Sequence, residues 1–104
     1  MADIGNIVSR VSLVNTPAIS SSATALASNP VRGAWSIQNL GTNPLYVRLG
    51  AGATTSLFHV VLQASVVQDD GTGGSLAQEA GVVYYGIVTI AGTNPRYTVT
   101  ELTS

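Results

Sequence analysis

The side chains able to do chemistry in this chain are few. His59 is the single histidine among 104 residues, and there is no cysteine. Without cysteine there is no disulfide, no thiolate-bound zinc and no thiol nucleophile. His59 stands inside "LFHVVL", an apolar run in which an imidazole is more often structural than catalytic. No second histidine, no G-x-S-x-G and no H-E-x-x-H accompanies it, so neither a nucleophile elbow nor a metalloprotease helix is encoded. The expectation is a protein that is not an enzyme, with no catalytic residues, no metal ligands and no cofactor.

Asp69-Asp70-Gly71-Thr72-Gly73-Gly74 sets two carboxylates in a glycine-rich loop. Hard cations such as Ca²⁺ take oxygen ligands from flexible loops of this kind. The spacing does not fit D-x-[DN]-x-[DN]-G, no bidentate acid follows at the required distance, and the G-K-[ST] of a phosphate loop is absent. A surface turn is the preferred reading and a cation loop the alternative. Trp35, Tyr46, Tyr84, Tyr85 and Tyr97 offer rings for a sugar to stack on, but Trp35 and Tyr97 fall at core positions of their strands. Tyr46 and one of Tyr84 and Tyr85 are expected outside, where tyrosine serves protein interfaces equally well.

The charge inventory points the same way. Only 9% of the residues are charged, and the four bases are all arginine: Arg10, Arg32, Arg48 and Arg96. A free-standing domain carries about 25% charged residues. Four scattered arginines and a net charge of −1 supply no electrostatic footprint for nucleic acid. Arginine forks onto carboxylates, so pairs with the five acids across subunit interfaces are expected. A surface this poor in charge favours association. No apolar run approaches the roughly 18 residues of a membrane helix, and "MADIGNIVSR" has no basic-then-apolar signal pattern. A soluble protein made in a cytoplasm, with no membrane and no nucleic-acid partner, is expected.

The elements that must position these residues read as β-strands, since no segment keeps a 3.6-residue period and turn signals recur about every 8–12 residues. Residues 7–14 ("IVSRVSLV") alternate imperfectly and suit an edge strand or an arm exchanged with a neighbour. Residues 23–27 are either a short strand or a helical turn. Residues 34–39 form a strand with Trp35 and Ile37 on one face, and Leu45–Leu49 returns with Leu45, Val47 and Leu49 inward and Tyr46 and Arg48 outward. Between them lies Gly41-Thr42-Asn43-Pro44, repeated at Gly92-Thr93-Asn94-Pro95. Asn before proline leaves the helical region, and proline opens a return strand where its missing N–H costs nothing. Both copies therefore read as hairpin turns. Residues 57–62, with an extension through Val67 as the alternative, 82–91 and 96–102 complete the strands; the first two are apolar on both faces, as in a central strand or one covered by a partner.

One stretch carries a resemblance. "VRGAWSIQNLGTNPLYVRLG" resembles a pattern in small bacteriophage virion proteins, through Arg32, "SIQN" at 36–39, Gly41–Asn43, Tyr46-Val47 and Gly50. "YTVTEL" at 97–102 resembles the final strand of the same pattern, so the resemblance runs from Pro30 to the last strand. It implies a β-sandwich within a phage particle, as a capsid decoration or cement protein or as a module of a tail or fibre. It brings no catalytic residues.

The combined expectation is an all-β, single-domain antiparallel β-sandwich over residues 1–104, jelly-roll-like, with about seven or eight short strands and residues 1–20 as an N-terminal arm or edge strand. The expected function is a structural virion protein, a capsid decoration protein that binds the major capsid protein or other virion subunits at the capsid surface. A homo-oligomer is expected, with a trimer favoured. A receptor- or glycan-binding module of a tail or fibre is the alternative. The residues expected to touch partners are Ile7, Val8, Arg10, Val11, Tyr46, Arg48 and Tyr85.

Overall fold

The computed structural model describes residues 8–9, 13–15, 23–79 and 82–103. Among these, nine strands form two antiparallel sheets. The first sheet holds β1 (Val8–Ser9), β2 (Leu13–Asn15), β4 (Arg32–Asn39), β7 (Ser75–Gln78) and β9 (Tyr97–Thr103); β1 and β2 both pair with β9, and the order continues β9-β4-β7. The second holds β3 (Ala23–Leu26), β5 (Leu45–Leu49), β6 (Val60–Leu62) and β8 (Val88–Ala91), in the order β3-β8-β5-β6. From β2 onward the chain changes sheet at every connection except β5 to β6 and none of its neighbours within the first sheet are consecutive. That interleaving is a jelly roll, the double-sheet sandwich that hides most of its strand edges by wrapping.

The core lies between the sheets. Trp35, Ile37, Tyr97 and Val99 face in from the first sheet, and Leu26, Leu45, Val47, Leu62, Val88 and Ile90 from the second. Opposite residues of an antiparallel pair share a face, which is why Ile37 meets both Val99 and Leu76 across its two ladders. The inward parity read for β4, β5 and β9 holds at Trp35, Ile37, Leu45, Val47, Tyr97 and Val99, all nearly closed to solvent.

Three expectations are corrected, and one strand is added. The two GTNP segments are not hairpin turns. The first carries the chain from β4 in one sheet to β5 in the other, and the second returns it from β8 to β9, so neither pair of flanking strands is hydrogen-bonded across its turn. The strand expected over 82–91 is confined to Val88–Ala91. Ahead of it, the carbonyls of Tyr84 and Gly86 accept from Arg32, and that of Tyr85 accepts from Asn29 N–H, so this backbone is satisfied off the ladder. The strand expected over 57–62 is confined to Val60–Leu62, because Thr54 and Leu57 close a short turn through two backbone bonds. Finally, β7 was not foreseen: "SLAQ" follows two glycines and carries no strong β signal.

The apolar two-sidedness of β8 has an internal cause. All four of its residues are buried. On its outer side Thr89 is covered by the chain's own loop: the Ala53 N–H donates to Thr89 Oγ1, which donates in turn to the Gly50 carbonyl.

Candidate functional site

The residues singled out for chemistry are dispersed by the fold, and most are engaged by the chain itself. The DDGTGG loop joins β6 to β7 and packs at the end where both GTNP corners lie. Asp70 accepts from the Val67 and Thr72 N–H groups and from the Thr72 hydroxyl. These bonds, those from Thr72 foremost, hold its carboxyl below the usual carboxylate range. Asp69 receives two bonds from Arg96, at 2.6 and 2.8 Å, and is likewise held low, chiefly by those bonds. A methyl on Gly73 would overlap the Asn39 carbonyl oxygen, and one on Gly74 would stand 2.7 Å from the Gln63 nitrogen. The glycines are there because two backbones pass too closely for any side chain.

Asn39 is the hub of this end. Its residue is 1% exposed. Its Nδ2 donates to the carbonyls of Asn43, Leu62 and Gln63, and its Oδ1 accepts from the Gly41 N–H. Arg96 O accepts from both Leu40 and Gly41 N–H, which lashes the second corner to the first. Asn43 Nδ2 reaches Thr93 O at 3.1 Å, and a methyl on Gly92 would sit 2.9 Å from Pro44 O. The repeated GTNP is thus two sheet-crossing corners packed side by side. They differ at the asparagine: Asn94 takes a left-handed backbone, φ 45°, a conformation asparagine tolerates better than most residues.

At the other end Arg32 is buried. Its Nε donates to Glu101 at 2.7 Å, its Nη1 to the Tyr84 and Gly86 carbonyls, and its Nη2 to Ala27 O. Arg32 and Arg96 were expected to pair across subunits. Both pair within the chain instead, since their acids lie on neighbouring segments of the same sandwich.

The aromatics separate as follows. Trp35 is in the core, with Nε1 donating to Gln78. Tyr97 is wholly buried; its hydroxyl has no partner among the described residues, and burial pushes its phenol up to about 12. Tyr46 lies on the outer face of the second sheet, directly opposite Val61 of β6. Its ring meets Phe58 edge-on at 5.0 Å between centroids. Leu57, Phe58 and Val61 are 49%, 39% and 46% exposed. Phe58 and Val61 meet Tyr46 in an apolar face at the β6 edge, with exposed Leu57 preceding Phe58 in the chain; Arg48 flanks it on β5, its buried Nε without a partner among the described residues. Tyr85 is exposed at the far end, where its carbonyl accepts from Asn29 N–H. Val8 lies in β1, paired through its backbone with Thr103 of the same chain; Ile7, Arg10 and Val11 lie outside the described residues.

Of the residues expected to touch partners, the fold therefore brings Tyr46 and Arg48 onto one face and leaves Tyr85 on another. Leu57, Phe58 and Val61 were missed as surface residues. The available signal was "LF" ahead of the lone histidine, too many apolar residues for a three-residue strand to bury. The outer face of the first sheet carries a shallow groove of about 180 Å³, lined by the small residues Ala34, Ser36, Ala77 and Thr100 together with Leu102 and Glu79.

No protein-family model matches the chain, and no curated protein matches its sequence. A solved structure of Bacillus endospore appendages, described as a family of disulfide-linked pili, aligns over 94% of this chain and 88% of its own, with a TM-score of 0.49 and 17% identity.

Proposed function

We propose that the protein is a structural subunit whose β6 edge is covered in an assembly, and that the assembly is a bacteriophage particle on whose shell it acts as a decoration protein. One observation carries the assembly reading: Tyr46, Phe58 and Val61 share an exposed apolar face, with Leu57 exposed next to Phe58 in the chain, on a molecule in which 9% of residues are charged. Contiguous exposed apolar surface of this kind marks a contact site. An aromatic pair at its centre supplies the buried anchor such contacts rely on. Arg48 beside it is the cation available to a partner carboxylate.

The resemblance of the Arg32–Gly50 stretch to small virion proteins is the support for the phage setting. The partner there is the major capsid protein or another virion subunit, with further copies of this chain alongside. The mechanism is burial of the apolar face between copies of this chain in a closed oligomer, a trimer favoured, which then seats on the shell subunits.

The test is co-sedimentation of the purified chain with emptied heads of the phage that encodes it. Saturable binding that Val61→Asp abolishes supports the reading. Failure to bind heads, with binding to purified tails or to a glycan surface instead, overturns the capsid placement in favour of a receptor-binding module.

A further inference from the structure

Beside the same face, one histidine holds the chain to β5 past the end of the ladder. Leu49 ends β5, while the ladder between β5 and β6 covers only positions 45–47 of β5. Beyond it a single residue replaces the missing strand. His59 donates its backbone N–H to Val47 O at 2.8 Å. Its side-chain Nδ1 accepts the Leu49 N–H at 3.1 Å. The imidazole stands where the next carbonyl of a continuing β6 would stand. Residues 54–59, closed on themselves by the Thr54–Leu57 bonds, are held to β5 at this point, and Phe58 rests on Tyr46 immediately before it.

A ring nitrogen accepts a hydrogen bond only when it is unprotonated. The geometry therefore selects the neutral tautomer with its proton on Nε2. We infer that His59 is a pH-operated latch: neutral, it fastens the Leu57–Phe58 segment to β5 through its ring as well as its backbone; protonated, it gives up the bond from Leu49 N–H and loosens that segment at the edge of the apolar face. A proton taken from solvent onto Nδ1 turns the acceptor into a donor aimed at another donor, the Leu49 N–H. Among the described residues, no carboxylate stands on the elements packed here. The ionisable groups on the elements packed here are Tyr46 and Arg48 of β5; β6, β8 and residues 54–58 contribute none. The imidazolium gains nothing by staying, and its exposed position offers it water.

The latch stands on the geometry of the single chain. Its effect on assembly rests on the interface reading above. The test uses the full chain and measures amide-exchange protection, corrected for intrinsic rates, at about pH 8 and about pH 5, which bracket histidine titration. The Leu49 amide is expected to lose protection on acidification, on the order of tenfold for one hydrogen bond. His59→Asn supplies an oxygen acceptor that does not titrate, and should be protected equally at both pH values. His59→Leu should be unprotected at both. Equal protection of the unaltered chain at both pH values, or a pH dependence retained in His59→Asn, overturns the latch. Sedimentation of the same samples separates the two ideas. A working latch in a chain that associates at neither pH leaves the latch standing and overturns the interface.

Discussion

Both ends of the sandwich are tied by an arginine–carboxylate pair, and the two pairs have opposite importance. At one end the Arg32 side chain is 0% exposed and joins Glu101 to the carbonyls of three otherwise irregular positions, Ala27, Tyr84 and Gly86. At the other end Arg96 and Asp69 lie open to solvent, 26% and 41% exposed. There the two GTNP corners are already held by backbone bonds and by Asn39. The lesson concerns what each connection lacks. Long irregular segments leave carbonyls that no ladder satisfies, and a buried guanidinium with five donors can serve several of them at once. Short glycine-bearing corners bring backbone to backbone, so the ion pair above them is an addition.

That contrast can be broken in order of expected size. Arg32→Ala should be the most damaging change, about 3–5 kcal/mol, because it empties the buried guanidinium site and leaves the Glu101 charge and three part-buried carbonyls without their donor; urea unfolding reads it. Asn39→Ala strikes the hub of the opposite end. It should cost about 2–3 kcal/mol, since a buried group left without its partner costs about 1–3, and the same unfolding curves rank it below Arg32→Ala. A reversed ranking would mean that the corners, not the buried arginine, carry the fold. Tyr97→Phe, in the core below Asn39, removes a buried hydroxyl that has no partner among the described residues. It should be neutral or stabilising by up to about 1 kcal/mol. It should also abolish an alkaline weakness. The folded phenol is raised to about 12 from an ordinary 10.0. Stability is thus undiminished below the unfolded value and falls as pH climbs through that window, where only the unfolded chain ionises.

Arg96→Ala should be the mildest, with a loss that shrinks further in added salt. The pair has its own acid signature. The folded-state pKa of Asp69 is depressed, first by the Arg96 hydrogen bonds. Its contribution is therefore present above the ordinary carboxylate range and disappears as pH falls through that range to the depressed value. Melting temperature against pH should fall less steeply on the acid side in Asp69→Asn than in the unaltered chain.

How much of this was legible follows from what each signal encodes. Side-chain alternation in "AWSIQN", "LYVRL" and "YTVT" encodes face, and the face was readable at Trp35, Ile37, Leu45, Val47, Tyr97 and Val99. Turn chemistry encodes where the chain bends, and both GTNP bends are real. It does not encode which strand lies next door, because an Asn-Pro corner serves a hairpin and a sheet crossing equally. The sheet to which β5 or β9 belongs is decided by pairings such as Val47 with Ile90 and Ile37 with Val99, which no local pattern carries. Arg32 resembled any surface arginine, since its partner Glu101 is 69 residues away. The apolar face was half visible. Tyr46 and Arg48 followed from parity, but Leu57 and Phe58 were hidden in a run that reads as strand until the Thr54–Leu57 turn and the His59 side chain interrupt it.

The central claim is that the face built by Tyr46, Leu57, Phe58 and Val61 is buried when the protein works. Sedimentation velocity over a concentration series, comparing the unaltered chain with Val61→Asp, tests it most directly. Val61 is exposed and its side chain belongs to neither end network, so the variant should keep the parent melting temperature. The account predicts reversible association of the unaltered chain into a closed oligomer and a monomeric Val61→Asp. An unaltered chain that stays monomeric throughout, or a variant that associates as its parent does, would contradict it.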